Sequence, residues 1–372
     1  MHPERNPDHA PEPAPRRHPD RVVIKVGTSS LVTDGRLDPA KADALAASVA
    51  ELTHAGVRPV LVASGAIAQG CFLLGGEGAG ADEDRRLAAA VGQASLFEAF
   101  RAGLARRGLT AAQFLFTPLD LCDREHREGL RSALEQALGR GVVPVVNEND
   151  AVRVRNNDVL SALLAVVLRA RLLALLTDVP GLYASDPRTD PTARLVPEVK
   201  GMSAEVEQLA GASAGGPGTG GMVSKLGAVW IATLAGVTAV IADAHAPRVL
   251  RRLLAGEPVG TVVRPRCTVR EQGLEPLWRA FAAPPRGTLL CHPAARSDIA
   301  AGRAVPLARL VSARGEFTDG DVVDVATAGD PHPIARGRVR LGVTSLSAAR
   351  TAGDGAHVLL HPNEYVSLLE VC

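Results

Sequence analysis

Residues 21–30 read Arg-Val-Val-Ile-Lys-Val-Gly-Thr-Ser-Ser, and this stretch decides the fold. The β-branched run that ends at Gly27 predicts a buried strand, and the polar residues after it predict a loop at the carboxyl end of that strand. Lys25 lies near this end. It is one of only four lysines among 41 basic residues, which is a hint of a functional charge, although chance retention of a lysine is the alternative.

The same strand-then-helix pattern continues along the chain. The predicted strands are 21–27, 59–63, 112–117, 142–146, 172–177 and 237–242, and the predicted helices are 40–55, 85–107, 124–138, 159–169, 221–235 and 247–254. Near-continuous apolar strands joined by helices indicate an α/β domain whose mainly parallel sheet is covered on both faces. We expect this domain to span residues 20–265.

The ends of the chain have a different composition. Residues 1–19 are rich in Pro, Arg and His without an apolar period, which predicts a disordered leader, and residues 266–283 are predicted to be a linker. From 284 to 372 short strands and turns predict a small β-rich domain. That region holds nine arginines, no lysine, nine acidic residues and two aromatic residues, and this balance argues against nucleic acid as a partner.

Composition excludes several other classes. The formal net charge is +1, with 41 basic against 40 acidic residues, so nothing favours an anionic membrane or a polyanion as partner. Five cysteines, an odd number without a Cys-x-x-Cys pair, argue against a disulfide framework or a zinc site and favour the reducing cytoplasm. The N-terminus lacks the apolar core of a signal peptide.

Residues 215–225, Gly-Gly-Pro-Gly-Thr-Gly-Gly-Met-Val-Ser-Lys, predict a glycine-rich loop that opens into a helix. Backbone N–H groups of such a loop approach an oxyanion closely, the helix N-terminus adds donors, and Lys225 adds a full charge, so the stretch favours phosphate. It does not spell a P-loop or a dinucleotide fingerprint. A flexible linker is the alternative interpretation.

Polar residues also stand where the predicted parallel strands end. They are Lys25 with Gly27, Ser64 with Gly65, the run Asn147 to Asp150, and Thr177 with Asp178. Open parallel sheets bind ligands beyond the carboxyl ends of their strands. Caps and turns explain any one of these residues equally well, but the whole set predicts a site for an anionic ligand.

These residues carry a resemblance to a known family. The motifs are 23–29 (Val-Ile-Lys-Val-Gly-Thr-Ser), 63–68 (Ala-Ser-Gly-Ala-Ile-Ala), 146–151 (Val-Asn-Glu-Asn-Asp-Ala), 157–162 (Asn-Asp-Val-Leu-Ser-Ala), 177–183 (Thr-Asp-Val-Pro-Gly-Leu-Tyr) with 186–188, and 218–225. As an ordered set they resemble the amino acid kinase family, and within it the members that phosphorylate glutamate. The C-terminal region resembles a PUA domain.

The resemblance implies an αβα sandwich, ATP and Mg²⁺ as co-substrates, L-glutamate as acceptor, proline biosynthesis as pathway and a homodimer or homotetramer. It implies these roles: catalysis by Lys25, Lys225 and Asp158; ATP binding by Lys25, Thr177, Asp178, Thr219, Gly220, Gly221, Met222, Val223, Ser224 and Lys225; glutamate binding by Ser64, Asp150 and Asn157. The metal ligands stay unassigned. Asp150 and Asp158 have an alternative interpretation as helix caps or surface carboxylates.

The chain departs from the family pattern at one place. The loop between Asp150 and Asn157 is short, and Arg155-Asn156 stand where the family usually has Gly-Asp. Loss of that carboxylate predicts weaker recognition of the substrate ammonium group. Two alternatives to glutamate phosphorylation stay open at this point: a kinase of another small acid, such as N-acetylglutamate, aspartate or carbamate, and an RNA-binding regulator built on a kinase scaffold.

Overall fold

The computed structural model of the chain describes residues 20–75, 82–152, 156–187, 189–211, 221–265, 273–351 and 357–369. The predicted leader, residues 1–19, lies outside these ranges. The strands of the larger part are β1 Arg21–Val26, β2 Val32–Thr33, β3 Arg36–Leu37, β4 Arg58–Ala63, β5 Ala111–Phe116, β6 Val143–Glu148, β7 Leu172–Thr177, β8 Glu198–Lys200, β9 Thr238–Asp243 and β10 Thr261–Arg264. Its helices are α1 Pro39–His54, α2 Ala66–Leu73, α3 Asp82–Ala105, α4 Pro118–Cys122, α5 Arg124–Gly139, α6 Asn157–Val167, α7 Ala204–Gly211, α8 Met222–Leu234, α9 Val249–Leu254 and α10 Leu274–Phe281.

Eight of these strands form one sheet in the order β5-β6-β4-β1-β7-β9-β10-β8. The first six run parallel to one another, whereas β10 pairs with β9 in the antiparallel direction. Strand β1 lies near the middle, between β4 and β7. The predicted mainly parallel α/β sheet is therefore confirmed.

Helices cover the sheet on both faces. Side chains alternate along each strand, so Val23 of β1 joins a core with α5, α6, α8 and α10, while Val22 and Ile24 join a second core with α1, α3 and α9. Most of the strand residues in both cores are fully buried. This arrangement is the αβα sandwich that the resemblance implied.

The structure contains elements that the sequence pattern did not indicate. Helix α2 begins directly after Gly65, which has φ = 115°, a conformation that residues with a Cβ rarely adopt. Because this helix lacks a Ser, Thr, Asp or Asn cap, its start carries no ordinary sequence signal. Helix α7 and the short strands β8 and β10 were likewise not predicted.

The C-terminal part has its own core. Its strands are β11 Gly287–Cys291, β12 Val305–Pro306, β13 Leu310–Gly315, β14 Val322–Thr327, β15 Asp330–Arg338, β16 Val358–Leu360 and β17 Tyr365–Ser367, and its helices are α11 Ala294–Ala300 and α12 Val343–Thr351. Five of the strands form a mainly antiparallel sheet in the order β13-β11-β14-β15-β17. Leu289, Val325 and Tyr365 lie in its buried core. The expected small β-rich domain is therefore present.

Helix α10 lies within the range that was predicted as a linker, residues 266–283. Leu277, Trp278 and Phe281 of this helix belong to the same buried core as α6 and α8, and Val366 of β17 joins them there. The C-terminal sheet thus packs onto the larger part through α10. The domain limits at 265 and 284 stay a prediction. In the described part of the chain, no helix is both long and apolar enough to cross a membrane.

Candidate active site

The loops after three neighbouring strands, β4, β1 and β7, open at one edge of the sheet. Lys25 of β1 stands beside Val62 of β4 and Leu175 of β7 in the parallel register, so Gly27, Ser64 and Asp178 follow their strands on the same side. Backbone hydrogen bonds connect these loops, from Gly27 N–H to the Leu176 carbonyl at 3.2 Å and from Ser64 N–H to the Val26 carbonyl at 3.2 Å. The predicted polar strand ends therefore meet.

Two lysines and one aspartate form a buried group at this edge, here called the site cluster (Lys25, Asp158 and Lys225). Lys25 Nζ lies 2.6 Å from Asp158 Oδ1, and Lys225 Nζ lies 3.6 Å from Asp158 Oδ2. Ser224 donates a hydrogen bond from its hydroxyl to Asp158. Side-chain exposure is 4% for Lys25, 6% for Lys225 and 0% for Asp158. Three charges that come from β1, α6 and α8 are thus brought together.

Burial and neighbouring charges act in opposite directions on this cluster. Burial lowers the pKa of Lys25 below its ordinary value; Asp158 opposes this effect and Lys225 adds to it. Burial alone would raise the pKa of Asp158, but the charges of both lysines and hydrogen bonds from Lys25 and Ser224 outweigh burial and lower it. Asp158 is therefore ionised, and a bound anion would stabilise the protonated form of Lys25.

A network of amide side chains lies beside the site cluster. Asn157 donates from Nδ2 to Ser64 Oγ at 3.0 Å and to Asn147 Oδ1 at 2.7 Å, and its Oδ1 accepts from the Glu148 N–H at 2.9 Å. Asn147 in turn donates to Gln93 Oε1 at 2.7 Å. The network fixes the orientation of each amide, because every donor and acceptor named here has a defined partner.

Helix α6 begins between the network and the cluster. The Asn156 side chain caps it by accepting from the Asp158 N–H at 2.8 Å, so the residue that departs from the family pattern is used as a helix cap. Asn157 then faces Ser64, and Asp158 faces the lysines. Asp158 itself is not the cap, and it is fully buried, so its alternative interpretation as a cap or surface carboxylate does not fit the structure.

The other predicted site residues have different degrees of exposure. Asp150 is buried in the turn after β6, whereas Thr177 is buried at the end of β7 and donates to Oδ1 of the exposed Asp178 at 3.1 Å. At the start of α8, Gly221 and Val223 are exposed, and Met222 and Ser224 are half-buried. Thr219 and Gly220 lie outside the described residues.

Sequence reasoning missed several contributions to this site. The role of Asn147 as the link between Asn157 and Gln93 was not predicted, although the run from Asn147 to Asp150 was singled out as a strand end. Gln93 lies within α3 and follows no motif, so no signal in the chain pointed to it. The bond from Ser224 to Asp158 joins residues 66 positions apart and became visible only in the fold.

Comparison with known proteins agrees with this geometry. The chain belongs to the amino acid kinase family, whose family model matches residues 20–243. Within that family its curated relatives are named glutamate 5-kinase. The protein from Streptococcus sanguinis is 35% identical over 358 residues, covering 94% of this chain and 96% of that one.

Other relatives carry the same name. The glutamate 5-kinase of Geobacter sp. is 37% identical over 340 residues, with 88% of each chain covered, and that of Shewanella amazonensis is 40% identical over 330 residues, with 86% of each covered. Among solved structures, UMP kinase from Bacillus anthracis matches with a TM-score of 0.47 and 16% identity over 66% of this chain and 97% of that chain. The family match and the curated relatives confirm the resemblance inferred from the motifs.

Proposed function

We propose that the chain transfers the γ-phosphoryl group of ATP to the γ-carboxylate of L-glutamate, forming L-glutamyl 5-phosphate in the first step of proline biosynthesis. This makes it a phosphotransferase with a carboxyl group as acceptor, the activity for which its relatives are named. The observation that carries the proposal is the site cluster, in which Lys25 and Lys225 flank the ionised Asp158.

The residues present suit phosphoryl transfer to a carboxylate. The γ-carboxylate of glutamate has an ordinary pKa of about 4.3 and is ionised at neutral pH, so no general base has to make the nucleophile. Catalysis then depends on positioning and on stabilising the negative charge that spreads over the phosphoryl oxygens. Lys25 and Lys225 supply that positive charge, and Asp158 holds their ammonium groups apart on its two oxygens.

Each side of the site has a proposed partner. Ser64, Asp150 and Asn157 bind the acceptor acid, with the Asn157 amide oriented by Asn147. On the other side, Thr177 and Asp178 with the segment from Thr219 to Lys225 bind the nucleotide. Lys25 stands on the strand between these two sides and acts on the group in transfer.

We propose that a magnesium ion binds together with ATP. Mg²⁺ keeps several waters and is usually held by one or two carboxylates plus substrate phosphates rather than by an all-protein cage. Among the described residues, no three His, Cys, Asp or Glu side chains form a metal-binding group, and Asp158 is the carboxylate of the site cluster. Both oxygens of the fully buried Asp158 are already engaged by Lys25, Lys225 and Ser224, so the ATP phosphates and water would hold the ion, which would supply further charge neutralisation.

The charge pairing of the C-terminal part disfavours an RNA-binding regulator. Its ion pairs are Arg286–Asp321, Arg296–Asp330, Arg303–Asp298, Arg309–Asp298, Arg336–Asp324 and Arg340–Glu364. Affinity for nucleic acid comes largely from uncompensated positive charge. A PUA-like domain with a structural role is therefore our proposal for residues 284–372. We further propose a homodimer or homotetramer that works in the cytoplasm.

A coupled assay tests the proposed reaction. Purified protein with ATP, Mg²⁺ and L-glutamate should release ADP, and hydroxylamine should trap the acyl phosphate as a hydroxamate. Parallel reactions contain N-acetylglutamate, aspartate or carbamate in place of glutamate, and a blank contains no acid. Turnover with one of those acids and none with glutamate would overturn the substrate assignment, while RNA binding without any turnover would favour the regulator.

A further inference from the structure

Arg336 of β15 is a buried arginine at the contact between the C-terminal sheet and the larger part of the chain. Its Nη1 and Nη2 donate to the two carboxylate oxygens of Glu207 in α7 at 2.7 and 2.6 Å. Its Nε and Nη2 donate to Asp324 of β14 at 2.7 and 3.1 Å. We call Glu207, Arg336 and Asp324 the junction cluster. Because Arg336 is only 2% exposed, its guanidinium is held almost entirely by these two carboxylates.

The register of the C-terminal sheet explains why Arg336 faces the kinase part. Arg336 stands opposite Asp324 on one side and Val366 on the other, so the three side chains share a face of the sheet. Val366 packs into the core around α6, α8 and α10, whereas the neighbouring Ala335 packs into the C-terminal core. The face that carries Arg336 is thus the docking face.

An aromatic pair extends this contact to α8. The Arg336 guanidinium lies 5.3 Å from the ring centroid of Phe281, and the Phe281 ring stacks on Trp230 of α8 with centroids 5.4 Å apart. A Cβ at Gly227 of α8 would lie 2.5 Å from the Phe281 carbonyl oxygen, so only glycine permits this approach. Helix α10 is therefore seated closely on α8.

We propose that Arg336 is a positioning residue for the nucleotide side of the active site. It holds α7 through Glu207 and α8 through Phe281 and Trp230, and these two helices stand on either side of residues 212–221 in the chain. Helix α8 carries Ser224 and Lys225, which both contact Asp158. The C-terminal domain thereby helps to fix the distance between Lys225 and the rest of the site cluster. This inference rests on the proposed function.

The chemistry of the junction cluster suits a fixed connection. Burial alone would lower the pKa of Arg336, but hydrogen bonds to Glu207 and Asp324 outweigh it and raise the pKa, so the group stays charged. A guanidinium forms two parallel hydrogen bonds with a carboxylate, which sets orientation as well as distance, whereas a lysine would supply only a point charge. The direction of α7 relative to the C-terminal sheet is therefore defined.

The test compares Arg336→Met with a matched change in the same domain. Arg309→Met also removes an arginine from an ion pair, here with Asp298 at 2.9 Å, but both partners lie within the C-terminal part. We expect Arg336→Met to raise the KM for ATP about five- to tenfold, which corresponds to about 1.0–1.4 kcal/mol of coupling through packed elements, and to leave the KM for glutamate within about twofold. Arg309→Met should leave both constants within about twofold.

The contact between Arg336 and Glu207 can also be tested from the kinase side and by a measurement of ATP binding. Glu207→Gln weakens the same contact from the kinase side and should raise the KM for ATP about two- to threefold, and it decides the question if Arg336→Met does not fold. Both tryptophans of the chain, Trp230 and Trp278, lie at this junction, so their fluorescence during titration with ATP reports binding without turnover. If the wild type proves inactive on glutamate, this titration still tests the positioning role of Arg336 separately from the proposed kinase activity. Folded variants with wild-type ATP affinity in both measurements would refute the positioning role, even if their melting temperature fell.

Discussion

The site cluster and the junction cluster are both groups of three charges with buried cations, yet they are built in opposite ways. In the site cluster one carboxylate, Asp158, stands between two lysines, and in the junction cluster one arginine, Arg336, stands between two carboxylates. Four hydrogen bonds between 2.6 and 3.1 Å satisfy the arginine. The lysines instead contact Asp158 at 2.6 and 3.6 Å.

This difference separates a structural ion group from a ligand site. The planar guanidinium uses its donors on two carboxylates that the protein itself supplies, which leaves little reason for a ligand to enter. The site cluster carries a surplus of positive charge, and the cost of burying it lowers the pKa of Lys25. A phosphate oxygen would remove that cost. Residue type and geometry therefore predict function better than burial does, since the cations of both clusters are buried.

The largest expected effect comes from removing one lysine of the site cluster. Lys225→Ala should lower kcat/KM about a thousandfold, or about 4 kcal/mol, because a donor that stabilises transition-state charge is lost. Its melting temperature should change little, because the cost of burying the Lys225 ammonium group disappears with it and Asp158 keeps its contacts with Lys25 and Ser224. The control is Lys200→Ala, an exposed lysine of β8. Near wild-type turnover in Lys225→Ala would remove the functional distinction between the clusters.

The junction cluster should show its largest effect on stability. Arg336→Met leaves the half-buried carboxylates of Glu207 and Asp324 without their cation, and we expect a loss of about 3 kcal/mol in the free energy of unfolding, the lower end of the range for breaking a buried pair. Urea denaturation measures the change. Arg309→Met, whose arginine is half-exposed, should lose much less. Equal losses in the two variants would mean that burial adds nothing at the junction.

Asp158→Asn tests the electrostatics within the site cluster. The variant should lose about 100-fold in kcat, because the lysines lose the carboxylate that holds them. As the pH is raised, the ATP affinity of the variant should begin to fall at a lower pH than that of the wild type. The attraction of Asp158 raises the pKa of Lys25, so its removal lets that pKa fall further, and Lys25 loses its proton earlier as the pH rises.

The measurement is the ATP dissociation constant from tryptophan fluorescence across the alkaline range. Asp123→Asn serves as control, since it removes an exposed carboxylate while keeping the side-chain oxygen that caps α5. An unchanged or upward-shifted alkaline limit in Asp158→Asn would show that Asp158 does not set the charge of Lys25.

The smallest expected effect concerns the edge of the site cluster. Asn156→Asp keeps the cap of α6, since both residues are good N-caps, and restores a carboxylate where the sequence pattern lacks one. We expect the KM for glutamate to fall about two- to threefold, through attraction of the substrate ammonium group. Asn156→Ala should instead cost about 1 kcal/mol of stability by removing the cap. An unchanged KM in Asn156→Asp would show that the missing carboxylate at position 156 does not weaken recognition of the substrate ammonium group.

The repeating part of the fold was predictable from sequence for a physical reason. Strands such as β1 and β7 are buried on both faces, so they form continuous apolar runs, and Pro39 with the cap Asp38 marks the start of α1. Helix α2 starts at a glycine with positive φ and has no such mark. The reversed direction of β10 depends on pairing with β9, which no local pattern encodes.

The two clusters also differ in how far the sequence predicts them. Lys25, Asp158 and Lys225 lie in motifs that resemble a known family, so they were selected before the fold was known, although their contacts were not. Arg336 and Glu207 are 129 residues apart and follow no motif. This ion pair forms only where α7 and the C-terminal sheet meet in the folded chain, so the charge pattern of either segment alone gives no indication of it.

The start of α6 has one further consequence. Asn157 contacts Ser64 on the proposed acid side, and the next residue, Asp158, contacts both lysines on the proposed nucleotide side. Their Cα atoms are about 3.8 Å apart across a single peptide unit, a length that thermal motion barely changes. Because a single peptide unit joins the residue on the acid side to the residue on the nucleotide side, movements of whole domains would leave the spacing of these two contacts unchanged.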